Sequence, residues 1–138
     1  MNPEEVMRSF FRRVWNERER EAIYELFPAG GVAHGLHPFR IGGPEEFEAF
    51  YDLMWNTFDD IHIRIDKTIA FQDSIAIMAT GTMTTKKGEV VTSSGMGFAT
   101  IRDGQILEAW NCWDFLTMLI GLGELRPDVL FEALSRGD

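Results

Sequence analysis

In the first half of the chain, apolar positions recur at helical spacing. Asn2 and Pro3 are suited to the cap and first turn of a helix, and the stripe behind them consists of Val6, Met7, Phe10, Phe11, Val14 and Trp15. The same spacing predicts a short helix over residues 19–27 and a longer one after Gly43-Pro44. The longer helix has the most aromatic face in the chain: Phe47, Phe50, Tyr51, Met54, Trp55 and Phe58.

From residue 60 the apolar period changes from 3.6 to 2. Ile61, Ile63 and Ile65 alternate with polar residues, which is typical of a half-buried strand. Further strands are predicted over 74–85, 89–102 and 105–113, and a short one over 32–36. The dipeptide Asp103-Gly104 favours a type I′ hairpin turn. Helices are predicted again over 114–123 and 127–134.

This order of elements predicts one α+β domain spanning residues 1–138. Helices and antiparallel strands are segregated along the chain, so the helices are expected to pack on the concave face of a curved, mainly antiparallel sheet. A twisted sheet covered in this way forms a cone, and the open end of the cone is a pocket.

Composition narrows the classes of partner. The net charge of −9 disfavours nucleic acid and anionic membrane surfaces. Cys112 is the single cysteine, which excludes an intrachain disulfide and a cysteine-rich metal site. The first residues lack the pattern of a signal peptide, and no apolar run reaches the roughly 18 residues of a membrane span. The expected location is therefore the cytoplasm.

Asp114 is the leading candidate for chemistry. It follows the last predicted strand among aromatic and aliphatic residues, and strand parity places it on one face with Trp110 and Cys112. Loss of hydration there would raise its pKa and make it a general base for removing a proton from carbon. The alternative is structural, because an Asp directly before a helical run is also a good N-cap.

Two further polar residues are candidates with open roles. His34, on the short strand and expected to face the helices, is a possible proton shuttle or hydrogen-bond donor, or else a structural residue. Asn111 either orients a ligand or binds a buried backbone group. His34 and His37 have H-x-x-H spacing, but the absence of a nearby acidic ligand argues against a metal site.

The ligand-binding candidates are mostly aromatic. A flat ring system would suit a pocket lined by such residues, although aromatic stripes at helical spacing also build ordinary cores. The candidates are Phe11, Trp15, Tyr51, Trp55, Phe58 and Trp110. Three lysines, no nucleophile elbow and no nucleotide-binding loop leave cofactor-free acid–base chemistry as the expected kind of catalysis.

Several segments resemble the SnoaL-like polyketide cyclases of the NTF2-like superfamily. They are Phe10-Phe11-Arg12-Arg13-Val14-Trp15-Asn16, Leu26-Phe27, Val32-Ala33-His34-Gly35, the helix behind Gly43-Pro44-Glu45-Glu46-Phe47, and Gly104 through Leu116. The resemblance implies a cone-shaped α+β fold that assembles through its sheet as a dimer or higher oligomer. It also implies aldol ring closure of a polyketide methyl ester without metal or Schiff base, with Asp114 at the position of the family's base.

The chain departs from the family pattern at two points. It has Ile120-Gly121 where relatives often carry Gln before the closing Leu-Gly, and it lacks the Tyr that relatives show near Phe11. Three hypotheses therefore stand: a cofactor-free cyclase, isomerase or lyase acting on a carbonyl-rich small molecule; a non-catalytic module that binds an apolar ligand or dimerises; and another acid–base enzyme of this fold, such as an epoxide hydrolase or ketosteroid isomerase. The epoxide hydrolase would need a second carboxylate and an inward Arg64 or Arg102.

Overall fold

The computed structural model describes residues 1–36 and 38–137, and its helices pack against a single sheet. The helices are α1 (Pro3–Phe10), a π-helix (Phe11–Asn16) that continues it, α2 (Glu21–Leu26), α3 (Gly43–Thr57), α4 (Phe115–Gly121) and α5 (Val129–Ser135). The strands are β1 (Val32–His34), β2 (Ile41–Gly42), β3 (Phe58–Phe71), β4 (Ser74–Thr85), β5 (Val90–Arg102) and β6 (Gln105–Trp113). In the described part of the chain, no helix combines the length and apolar character needed to cross a membrane.

The sheet has six strands in the order β2-β1-β6-β5-β4-β3. Strands β3 to β6 form an antiparallel meander, whereas β1 runs parallel to β6. The predicted class, a mixed α+β fold with helices on a mainly antiparallel sheet, is confirmed. Because β1 pairs with β6, the N-terminal part of the chain joins the sheet beside its last strand.

Most elements have the predicted bounds within two residues. Asn2 caps α1, accepting a hydrogen bond from the Glu5 N–H at 2.8 Å, and Asp103 and Gly104 both have positive φ (54° and 74°), as a type I′ turn requires. Three features were not predicted: the two-residue strand β2, the start of β3 at Phe58, and the π-helix. Helical spacing does not distinguish a π-helix from the α-helix that precedes it.

The two faces of the sheet differ in what covers them. On β4, Ile75, Ile77 and Ala79 are buried on the inner face, toward the helices. Met78, between them in sequence, is 42% exposed on the outer face. The same alternation continues on β5, where Ala99 is buried and Phe98 is 46% exposed. The inner face and the helices therefore form the core, and the outer face remains uncovered.

Asn16 blocks part of the free edge of β3. Its Nδ2 donates to the Ile63 carbonyl at 2.8 Å, and its Oδ1 accepts from the Ile63 N–H at 2.7 Å. The side-chain amide thus satisfies both backbone groups of one residue, as a neighbouring strand would. Since Asn16 ends the π-helix, this pair fixes the helical layer against the sheet.

Candidate functional site

A cavity lies between the helical layer and the inner face of the sheet. It encloses about 790 Å³ of space, counting the solvent at its open side. The helical wall is formed by Met7, Phe10, Phe11, Trp15, Phe47, Phe50 and Met54. Trp113, Phe115 and Met118 contribute from the end of β6 and from α4.

The cavity exists because the sheet carries small residues under α1. Ala33, Ala109 and Ala99 pair with one another across β1, β6 and β5 on the inner face. In the next row Gly97 lies opposite Asn111. Side chains this short leave the space above them unfilled, and a smaller hollow continues the cavity along the same floor.

Trp113 lies against glycines of the neighbouring strands. A Cβ atom placed on its partner Gly95 would come within 2.3 Å of Cδ2 of the Trp113 ring, and one on Gly81 within 3.6 Å of its Cζ3. The indole therefore occupies the volume that side chains at these two positions would take. It contributes to the lining of both hollows, and the glycines determine where it lies.

The wall opposite the sheet is a cluster of aromatic rings centred on Phe47. The Phe47 ring lies 5.4 Å from Phe10, 5.6 Å from Phe27 and 6.2 Å from Trp15, centroid to centroid. These are tilted or edge-to-face arrangements, the favoured geometries for ring pairs. The wall can therefore make both ring-face and ring-edge contacts with a flat guest.

Asn111 supplies the only side-chain amide among the described lining residues. The other lining side chains are hydrocarbon, thioether or indole, or are absent at glycine. Asn111 Nδ2 donates to the His34 carbonyl at 3.0 Å. Of the two roles left open by the sequence, binding a backbone group is therefore present in the structure, and the same residue also lines the cavity.

Asp114 is the N-cap of α4. Its Oδ1 accepts from the Thr117 N–H at 3.0 Å, and its Oδ2 accepts from the Thr117 hydroxyl at 2.6 Å. The carboxylate is exposed and is not among the lining residues, and parity places it with the exposed Trp110 and Cys112.

The environment of Asp114 is the one expected for the N-cap alternative and the opposite of the one expected for a desolvated base. The hydrogen bond from the Thr117 hydroxyl, followed by that from the Thr117 N–H, lowers the pKa of Asp114. The predicted rise in pKa is wrong because the outer position keeps the carboxylate in water and supplies two donors. The lowered pKa means that Asp114 stabilises the fold above its unfolded pKa of about 3.9. That contribution is lost as the pH falls through the folded value.

His34 faces away from the helices, which corrects the expectation for the short strand. Its neighbour Ala33 takes the inward position and is 3% exposed. On the outer side, His34 Nε2 lies 2.7 Å from Glu108 Oε2, and the ring stacks on Trp110 at 5.6 Å. His37 lies outside the described residues. Within those described, no three His, Cys, Asp or Glu side chains are grouped as metal ligands.

Five of the six aromatic candidates divide into two groups, residues that line the cavity and residues of the core. Phe11 and Trp15 line the cavity. Tyr51, Trp55 and Phe58 do not; they are core residues, 3%, 8% and 1% exposed.

A row of ring contacts explains why Tyr51 and Trp55 belong to the core. The Tyr51 ring lies 5.1 Å from Trp15, and Trp55 lies 6.3 Å from Tyr51, with the Arg18 guanidinium 3.7 Å from the Trp55 ring centroid. The row thus leads from the cavity wall to a solvent-exposed arginine. Burial also raises the pKa of Tyr51, which keeps its phenol protonated.

Trp110 and the two arginines considered for epoxide opening are on the exposed side of the molecule. Trp110 is 43% exposed on the outer face of the sheet. Arg64 donates to the Asp66 carboxylate at 2.6 Å, and Arg102 is exposed. None of the three lines the cavity, so the described residues do not provide the inward arginine that epoxide hydrolysis would need.

Sequence reasoning missed the floor of the cavity. Gly95, Gly97 and Ala99 alternate along β5 on the inner face and line the smaller hollow that continues the cavity, and Ser93 precedes them on the same face. A strand whose inward positions are consistently small cannot reach a facing helix, and this period-2 run is visible in the sequence. Met118 of α4 and Phe27, just after α2, were missed as well, because their contacts are long-range.

Comparisons with known proteins agree on the fold. A family model described as SnoaL-like polyketide cyclase matches residues 5–122. Among curated proteins, none matches the sequence.

Solved structures of the same architecture share little sequence with the chain. IdmH, a candidate polyketide cyclase from Streptomyces antibioticus, is 20% identical, with a TM-score of 0.78 over 89% of this chain and 99% of that one. A candidate SnoaL-like polyketide cyclase from Jannaschia sp. CCS1 is 18% identical, with a TM-score of 0.78 over 91% and 93%. TerC, co-crystallised with polyporic acid, is 15% identical, with a TM-score of 0.77 over 88% and 98%. At these identities the likeness shows the fold alone.

Proposed function

The chain belongs to the SnoaL-like polyketide cyclase family, and from that premise we propose that it binds an apolar, ring-containing small molecule between its helices and its sheet. The observation that carries the proposal is the cavity above the alanine and glycine floor, whose described lining is apolar apart from Asn111 and two indoles. Burial of a ring compound there would remove apolar surface from water on both partners. The co-crystallisation of TerC with polyporic acid supports binding by a protein of the same architecture.

Binding can be tested with a neutral fluorescent ring compound, N-phenyl-1-naphthylamine. We expect saturable enhancement of its fluorescence by the unchanged protein. The variant Ala109→Leu should weaken binding by at least about tenfold, since its added carbons would enter the space between floor and helices. Titration at constant protein concentration measures both affinities.

Ala76→Leu is the matched control. Ala76 lies on β4 opposite Phe98, on the outer face, so the same substitution adds the same volume away from the cavity. Its affinity for the probe should equal that of the unchanged protein. Equal affinities for all three proteins would place the probe elsewhere and contradict the proposal.

A second candidate function is acid–base catalysis in which Asp114 removes a proton from carbon. Asp114 stands in the chain between Trp113 and Phe115, both of which line the cavity, and this favours the candidate. The lowered pKa weighs against it, since a carboxylate held by Thr117 accepts a proton less readily. Ligand binding is therefore the leading proposal, and proton abstraction would be an addition to it.

Asp114→Asn separates the two functions of this residue. Asn is also a good N-cap, so the variant should fold with nearly unchanged stability while lacking the carboxylate. With 2-tetralone in D₂O, catalysis by Asp114 predicts exchange of the ketone's α-protons by the unchanged protein and exchange at the buffer rate by the variant. Proton NMR measures both rates. Equal exchange above background would remove Asp114 from the chemistry.

Assembly as a homodimer through the outer face of the sheet stays a prediction. Met78, Met96, Phe98 and Trp110 are 42–58% exposed there and adjacent in the strand register, and a continuous apolar patch of this kind is typical of an interface. Lys67 and Glu108 flank the patch on opposite sides, so a two-fold axis could bring opposite charges together. The mass in solution, measured by light scattering, tests this assembly.

A further inference from the structure

The orientation of the Asn111 amide is fixed by its backbone partner. Nδ2 donates to the His34 carbonyl at 3.0 Å, and reversing the amide would place two acceptor oxygens against each other. The nitrogen therefore faces β1. The oxygen is left for other partners.

Asn111 Oδ1 is an unused acceptor at the cavity. No described residue donates a hydrogen bond to it. Its neighbour across the strands is Gly97, where an added Cβ atom would come into contact with Oδ1 at 3.4 Å. The glycine thus leaves the oxygen uncovered on that side. A carbonyl oxygen in apolar surroundings is stabilised by any guest that brings an O–H donor.

The charge of the surroundings limits the guest further. None of the described lining residues is Lys, Arg, His, Asp or Glu, so an ionised guest would lose hydration without gaining a counter-charge. The net charge of −9 adds a long-range penalty for anions. The cavity therefore favours an uncharged molecule, because its burial loses the least free energy of hydration.

We propose that the ligand is an uncharged ring compound whose hydroxyl group donates a hydrogen bond to Asn111 Oδ1. The inference rests on the proposed binding function and adds the recognition rule for that site. The apolar walls supply affinity for the ring, and Asn111 discriminates in favour of a phenol- or enol-type O–H. Asn111 acts here as a specificity-determining residue, and the rule applies whether or not the ligand then reacts.

Four bicyclic probes of closely similar shape test the rule on the unchanged protein at neutral pH. They are naphthalene, 2-naphthol, 2-methoxynaphthalene, which has an acceptor oxygen but no donor, and sodium 2-naphthoate. We expect 2-naphthol to bind about fivefold tighter than naphthalene and 2-methoxynaphthalene. This is the gain in affinity that one net hydrogen bond provides. The naphthoate should bind at least about tenfold more weakly than 2-naphthol. Quenching of tryptophan fluorescence, checked by calorimetry, measures the affinities.

Asn111→Leu should remove the preference for 2-naphthol over naphthalene while retaining naphthalene binding. Asn56→Leu, the same substitution at an exposed position of α3, should leave the preference unchanged. If Asn111→Leu does not fold because the His34 carbonyl loses its donor, the comparison of probes on the unchanged protein decides the question alone.

The two proposals fail in different ways. Equal affinities for 2-naphthol and 2-methoxynaphthalene, or naphthoate binding as tight as that of 2-naphthol, would overturn the recognition rule while the binding function stands. A hydroxyl preference that survives in Asn111→Leu would overturn the role of this residue. Failure of all the neutral probes to bind would overturn the binding function and the rule together.

Discussion

Replacing Gly35 by Ala is expected to lower the free energy of unfolding by about 3 kcal/mol, which combines left-handed backbone strain with overpacking. Gly35 follows β1 with φ of +85°, and a Cβ atom there would lie 1.8 Å from the backbone oxygen of Asn111. Backbone cannot rotate away as a side chain can. The variant must therefore separate the end of β1 from β6, which also weakens the hydrogen bond from Asn111 to His34. Urea unfolding followed by tryptophan fluorescence measures the loss.

Gly88→Ala measures the backbone strain alone, so that the loss caused by the collision at Gly35 can be obtained by difference. Gly88 has nearly the same φ, +84°, but nothing lies within 4 Å of its added Cβ. It should lose only about 1–2 kcal/mol, the cost of a non-glycine residue in this conformation. The excess loss in Gly35→Ala then measures the close approach of the two strands. Equal losses at the two positions would mean that no such approach exists in solution.

Gly95→Ala should have the second largest effect, a loss of about 2–3 kcal/mol from overpacking. The new Cβ would lie 2.3 Å from Cδ2 and 2.6 Å from Cε3 of Trp113. The indole must tilt off the sheet, and the space that can receive it is the cavity. The variant should therefore lose affinity for N-phenyl-1-naphthylamine as well as stability. Thermal unfolding and probe titration on the same sample measure the two losses.

Gly97→Ala is the control on the same strand and face. Its nearest atoms would be Asn111 Oδ1 and the Trp110 carbonyl, both at 3.4 Å, which is an ordinary contact distance. Since the substitution also restricts the unfolded chain, its stability should be unchanged or slightly higher. A loss as large as that of Gly95→Ala would show that any side chain on this floor is destabilising, and would remove the special role of Trp113.

The architecture could be predicted from the sequence because it depends on local periodicity. The bounds of β4 and β6 and the turn at Asp103-Gly104 follow from alternation and turn chemistry. The parity of β6 was also predicted correctly, since Asp114, Trp110 and Cys112 do share a face. Which face they share depends on where the helices pack, and a single strand does not carry that information. The expected desolvation of Asp114 was wrong at this step, because the shared face is the outer, exposed one.

The candidate site was predicted only in part, for a related reason. Phe11, Trp15 and Tyr51 belong to similar apolar stripes, and nothing local distinguishes a ring that faces a void from one that faces another ring. In the structure that difference arises across the molecule, from the short side chain of Ala109 and the lack of one at Gly97. To predict the cavity, one would have to know which large side chains of the helices lie opposite small residues of the sheet.

The pairing of β1 with β6 has a consequence for the order of events during folding. Asn111 and the His34 carbonyl are 77 positions apart, and β1 has no other long neighbour, since β2 has two residues. On the ribosome, α1 to β2 are complete long before β6 has been synthesised, so β1 must wait without its parallel partner. The hairpins of β3 to β5 can form in the meantime from neighbouring segments. Closure of the cavity is therefore expected to be the last cooperative step, and the nascent chain is expected to depend most on chaperones until β6 emerges.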